Sequence, residues 1–143
     1  MEKGFRFLEH TADAYVEAYG SSLEEAFENA ALASTEVMTE LEKVEARNEE
    51  KFVVEASDEQ ALLYSWLEEV LLEFELKDKL YSRFEVSSIE EVGGGFRLRA
   101  RGWGEKFDSG KHPSKVGIKS VTYHRMEIVK EPESVTVRFI LDI

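Results

Sequence analysis

Between residues 62 and 74 the chain carries an apolar stripe that has to find a surface. Leu62, Leu63, Trp66, Leu67, Val70, Leu71 and Phe74 recur at helical spacing, with Glu59, Glu68, Glu69, Glu73 and Glu75 expected on the opposite side. Burying each large side chain of such a stripe is worth roughly 1.5–3 kcal/mol. Ser57-Asp58-Glu59-Gln60 reads as the capping box that opens this helix, and Lys77 and Lys79 suit its negative end. A similar box, Ser22-Leu23-Glu24-Glu25, opens a second helix expected over 22–40, with Leu23, Phe27, Ala30, Val37 and Leu41 on its apolar side.

The remainder alternates with a period of two. Phe5 and Phe7 flank Arg6. After the acidic turn Glu9-His10-Thr11-Ala12-Asp13, Tyr15, Glu17 and Tyr19 face one way and Ala14, Val16 and Ala18 the other. This predicts a strand, a turn and a second strand across 5–18. Further strands are expected over 47–56, 84–92, 96–103, 118–129 and 135–141. Gly93-Gly94-Gly95 joins two of them as a hairpin turn. No Lys-Ser/Thr follows these glycines and they open a strand, so they do not match a phosphate loop. The stretch 104–117, with three glycines and Pro113, is expected to be a long loop, either functional or mobile. The order predicts one α+β domain over 1–143, a sandwich of two helices packed on a mixed, largely antiparallel sheet.

Charge narrows the partners. The chain has 18 Lys and Arg against 30 Asp and Glu, a net charge of −12, which argues against strong direct nucleic-acid binding. Residues 97–125 depart from this, with eight basic and two acidic residues. An anionic ligand could meet that basic stretch, and a basic partner the acidic remainder. Cys is absent, which excludes disulfides and thiolate metal sites and fits a reducing compartment. No apolar run is long enough to span a bilayer, so the expectation is a cytoplasmic protein without membrane contact.

Two carboxylates stand out by position. Asp13 follows the first turn, and Asp142 lies one residue before the last residue, Ile143, whose terminal carboxylate is a further charged oxygen. Carboxylate oxygens are the ligands of hard divalent cations. The expectation is that Asp13, Asp142 and Ile143 meet and hold such an ion; the alternative for Asp13 is a turn cap. Lys119 shares the alternation of Val121 and Tyr123, and reads either as an anion contact or as a lysine lying along a strand edge. His10 could act as ligand or base, whereas His124 reads as a hydrogen-bonded structural residue. No nucleophilic constellation is visible, and no catalytic residue is assigned.

These anchors together resemble the archease family: Glu9-His10-Thr11-Ala12-Asp13, Glu17-Ala18-Tyr19-Gly20, Leu23 to Phe27, Leu63 to Leu71 with Trp66, Ile118-Lys119 with Thr122-Tyr123-His124, and the late Asp142. The resemblance covers essentially the whole chain in order. It implies an accessory activator of the RtcB-type tRNA-splicing RNA ligase, which promotes guanylylation of the ligase's active-site histidine and repeated turnover without being an enzyme itself. A tRNA methyltransferase is the alternative partner that it suggests. It also implies a bound divalent metal, calcium being the expected ion, on Asp13, Asp142 and the Ile143 carboxylate. Lys119 and His10 are the residues expected to matter for activating the partner.

Overall fold

The computed structural model describes residues 4–9 and 13–143. Strand β1 (Phe5–Leu8) and strand β2 (Ala14–Gly20) lead into helix α1 (Leu23–Met38). After a short 3-10 turn, Leu41–Lys43, come strand β3 (Asn48–Ala56) and helix α2 (Glu59–Lys77). Strands β4 (Lys79–Val92), β5 (Gly95–Lys106), β6 (Ser120–Glu131) and β7 (Ser134–Asp142) complete the chain. The α+β expectation holds, and the strands divide between two sheets. One has the order β1-β2-β7-β6 and the other β3-β5-β4, with antiparallel pairing throughout. Each helix touches both sheets: α1 packs on β2 and β4, and α2 on β3 and β6. Among the described residues no helix is long and apolar enough to cross a membrane.

The stripe of α2 is buried as its spacing requires, with Leu62, Leu63, Trp66 and Leu67 fully inaccessible. Trp66 meets the rings of Phe52 and Phe84 edge-on and donates its indole N–H to the Phe27 carbonyl of α1 at 3.0 Å. A buried Trp needs such an acceptor, and this one ties the helices together. Thr35 of α1 does the same toward β4, its hydroxyl donating to the Tyr81 carbonyl at 2.7 Å. Two local expectations change. The N-cap of α2 is Asp58, not Ser57: its carboxylate accepts from the Ala61 N–H at 2.8 Å. Glu73 is not on a solvated side but 8 % exposed, because the Tyr81 hydroxyl donates to it at 2.7 Å and Lys77 pairs with it.

Glycine decides two features of the three-stranded sheet. Gly93 and Gly94 both have positive φ, which makes a tight two-residue turn, while Gly95 already belongs to β5. At Gly104 a Cβ would lie 1.8 Å from the Leu80 carbonyl oxygen, so β5 approaches β4 where no side chain fits.

In the four-stranded sheet β2 and β7 are the central pair, with Val16 against Phe139 and Ala14 against Leu141. On the outer face a charged ladder crosses all four strands. Arg6 donates to Glu17 at 2.5 Å, Arg138 to Glu17 at 2.8 Å, and Arg138 to Glu127 at 2.8 Å. Burial pushes the Glu17 carboxyl up, but the two guanidiniums outweigh it and hold it below the ordinary range. Because side chains alternate, a slip of one residue would turn this ladder into the core. Replacing Glu17 by Ala is therefore expected to destabilise the fold by about 2 kcal/mol, seen as a loss of roughly 6 °C in melting temperature; an unchanged melting curve would show that the ladder does not hold the pairing.

Candidate functional site

The pairing of β2 with β7 decides where the two singled-out carboxylates fall. Ala14 opposes Leu141, so the next positions outward are Asp13 and Asp142. Alternation assigns both to the face of Tyr15 and Ile140. On the other side of β7, Ser120 of β6 opposes Asp142, and the Lys119 N–H donates to the Asp142 carbonyl at 2.7 Å. One sheet end thus gathers Asp13, Asp142, Ile143 and the backbone of Lys119. Asp13, Asp142 and Ile143 are half-buried, and Lys119 is exposed. The Asp142 carboxylate makes no hydrogen bond or ion pair among the described residues. His10 lies outside the described residues. Among those described, no three His, Cys, Asp or Glu side chains form a group able to hold a metal.

The approach of Lys119 to this end is built by the long loop, which differs from its expectation. Strand β5 runs on to Lys106, so the loop is 107–119, and it is fastened along its length. His112 is 1 % exposed. Its Nδ1 accepts the Asp108 N–H at 2.9 Å, so the ring proton is on Nε2 and is donated to Glu105 at 2.9 Å. Lys111 pairs with the same carboxylate at 2.8 Å, and the Glu45 N–H donates to it at 2.9 Å. Lys115 donates its backbone N–H to the Met38 carbonyl at 3.0 Å and its ammonium to Glu36 at 2.6 Å. Ile118 is then buried directly before Lys119.

This wiring also revises the basic stretch. Arg97 pairs with Glu55, Arg101 with Glu49 and Glu85, Lys111 with Glu45 and Glu105, and Lys115 with Glu36. Arg99, Lys106, Lys119 and Arg125 keep no ion pair among the described residues. Half of the stretch's cations are thus engaged in internal pairs, and of the other four Lys119 and Arg125 lie on the side of the sheet end.

Lys119 does not share one continuous face with Val121 and Tyr123. Val121 is buried, but β6 bulges after Thr122 and Tyr123 is exposed. His124 is exposed as well and its ring makes no hydrogen bond among the described residues, contrary to its reading as a hydrogen-bonded structural residue. The bulge was legible in one respect. Buried positions on β6 switch from odd (Val121) to even (Met126), and an odd number of inserted residues is what such a switch requires. The Glu105–His112 pair left no comparable trace, because nothing in the spacing marks either residue as buried.

The fold and site define an acidic α+β domain that presents carboxylates and a lysine at one sheet end. The sequence pattern of the Archease protein family (MTH1598/TM1083) matches residues 5–143, and the chain belongs to the archease family. It is 41% identical over 143 residues to the archease of Sulfurisphaera tokodaii, covering 100% of both chains. To that of Methanothermobacter thermautotrophicus it is 43% identical over 141 residues, with 99% of each covered. The solution structure of Methanobacterium thermoautotrophicum protein 1598 superposes with a TM-score of 0.83 at 40% identity, covering 99% of this chain and 100% of that one. The crystal structure of an archease from Thermotoga maritima shares the fold, with a TM-score of 0.60 at 19% identity and 96% of each chain covered. As a family member the chain is an accessory activator of an RtcB-type RNA ligase, acts in tRNA processing, and is not itself an enzyme.

Glu105 gives the loop a measurable signature. Burial raises its carboxyl, but the Glu45 N–H, Lys111 and His112 outweigh this and bring it to about 2. A lowered folded-state value means that the stability it contributes is complete above the unfolded carboxyl range, near 4.5, and is lost as pH falls toward 2. Melting temperature is expected to drop over that window in the native chain, and Glu105→Gln is expected to flatten part of the drop while lowering stability at neutral pH. Identical acid limbs for the two proteins would remove Glu105 as the fastening point.

Proposed function

We propose that the chain activates its ligase through the sheet end of Asp13, Asp142 and Ile143, by holding a divalent cation there, calcium being the expected ion. The observation that carries this reading is the register: with Ala14 against Leu141, carboxylates from two neighbouring strands occupy consecutive outward positions on one face. The donor set supports it chemically, since hard cations take carboxylate oxygens. The Asp142 carboxylate is half-buried and has no cationic partner among the described residues, a condition that a bound cation relieves.

In this reading Asp13 and Asp142 supply the oxygens, and the carboxylate of Ile143 is a further ligand. The bound ion supplies positive charge toward phosphate oxygens. Lys119, tied to Asp142 through its backbone N–H, is exposed at the same sheet end and adds a positive group for the ligase. His10, three positions before Asp13 in the sequence and outside the described residues, is included as a contact to the partner. The acidic remainder of the chain favours approach to a ligase that is basic where it binds RNA.

Ligation at limiting ligase tests the reading. Asp142→Asn and Asp13→Asn are each expected to cut multiple turnover by about tenfold or more, the order of loss that follows disturbing the groups around a bound metal. Full turnover with both variants would overturn it. Separately, adding a few residues after Ile143 is expected to weaken divalent-ion affinity in calorimetry by about tenfold; an unchanged affinity would take the Ile143 carboxylate out of the ligand set.

A further inference from the structure

The bulge in β6 presents a cation that the carboxylate site does not use. Between the pairs Thr122↔Ile140 and Glu127↔Arg138, β6 advances five residues while β7 advances two, so Tyr123, His124 and Arg125 are extra. The bulge is held at both ends. The Tyr123 ring stacks on Tyr64 of α2, with centroids 4.5 Å apart and planes at 11°, and Met126 is buried. His124 and Arg125 are therefore what it displays, and both are exposed.

Arg125 has φ +58°, in the left-handed region that a residue with a long side chain rarely adopts. Glycine would satisfy the same turn without steric cost. Like Arg99, Lys106 and Lys119, the arginine also lacks a carboxylate partner among the described residues, although Asp and Glu outnumber Lys and Arg 30 to 18. Arg138, on the neighbouring strand, holds Glu17 and Glu127. The Arg125 guanidinium instead lies 6.0 Å from the centroid of the Tyr15 ring. Tyr15 pairs with Ile140, and each is two residues from its strand's end-carboxylate, Asp13 or Asp142. Ile140 belongs to the outer face by register yet is 2 % exposed, so this part of the face is covered.

We propose that Arg125 forms a phosphate-binding position beside the Asp13–Asp142 end of the sheet. The planar guanidinium fork matches two phosphate oxygens, and a guanidinium not engaged by a carboxylate is available to do so. Carboxylates alone would repel a phosphate; a divalent cation held by Asp13 and Asp142 would supply positive charge toward it, and Arg125 would supply the guanidinium. This inference deepens the proposed function and rests on that reading. The phosphate is that of the guanosine nucleotide or of the RNA end on which the ligase acts, and Arg125 is a positioning residue for it.

The test uses the full chain with its ligase. Ligation is followed as a function of GTP and of RNA ends, with native protein, Arg125→Gly and Arg125→Lys, and melting temperature is measured for each. Arg125→Gly is expected to melt at the same temperature or higher, yet to need about tenfold more GTP or RNA for half-maximal stimulation, the size expected from losing one charge-assisted contact. Arg125→Lys, which keeps the charge but not the fork, is expected to fall between. A shift confined to GTP assigns the nucleotide phosphate, and one confined to RNA assigns the RNA end. Unchanged dependence on both would overturn the proposal. So would weaker co-purification with the ligase at unchanged dependence, which makes a ligase carboxylate the ligand, or a lower melting temperature for Arg125→Gly, which makes the arginine structural. Pyrophosphate binding in the presence of calcium, followed by NMR without the ligase, reads the same contact independently. If native protein binds pyrophosphate through Arg125 but does not stimulate ligation, the functional reading fails and the phosphate position stands; stimulation with no Arg125-dependent pyrophosphate binding gives the reverse.

Discussion

The pairing of β2 with β7 is the constraint on which the rest depends. It joins residues about 120 positions apart, from Ala14↔Leu141 to Gly20↔Val135. Val16 and Phe139 lock one side of it in the core, and the Arg6–Glu17–Arg138–Glu127 ladder locks the other. The two sides are not redundant. The core contacts resist separation of the strands, whereas the ladder resists sliding, because a one-residue slip would carry Glu17 and Arg138 inward. Only with both in place do the carboxylates at the strand ends come opposite one another. The geometry of the site is thus set several residues away from it.

Much of this was legible. The α2 stripe, the α1 capping box and the period-two strands gave the elements and their class, because each depends on neighbours in sequence. Local spacing does not reveal burial that is set by distant partners, as at Glu73, which Tyr81 draws inside, and at Glu105, which receives the Glu45 N–H across 60 positions. The division into two sheets has the same origin: alternation shows that a segment is a strand, not which edge it joins. For the candidate site, Asp13 and Asp142 were singled out by type and position, and their alignment follows from pairing that no local pattern encodes. Lys119 was expected to share a face with Val121 and Tyr123, and that continuity fails because three extra residues interrupt the strand.

The electrostatics show a division of labour. Half of the cations of the 97–125 stretch are spent on internal acids, and two of these, Lys111 and Lys115, fasten the loop that leads to Lys119 onto the body. Fully buried His112 contributes as a neutral donor and acceptor rather than as a charge. In the proposed reading the net negative body and the small group of unengaged cations serve different purposes: the first favours long-range approach, and the second acts at contact distance.

The sheet order has a bearing on synthesis. Strands β3, β5 and β4 pair among themselves, so that sheet can form while the ribosome is still at work. Strand β2 is made early, but one of its edges has no neighbour until the segment Ser134–Asp142 leaves the exit tunnel. For most of translation the nascent chain therefore carries an open apolar strand edge that invites pairing with other chains. The carboxylate end is assembled in the same closing event, so a truncated translation product lacks the site as well as the seam.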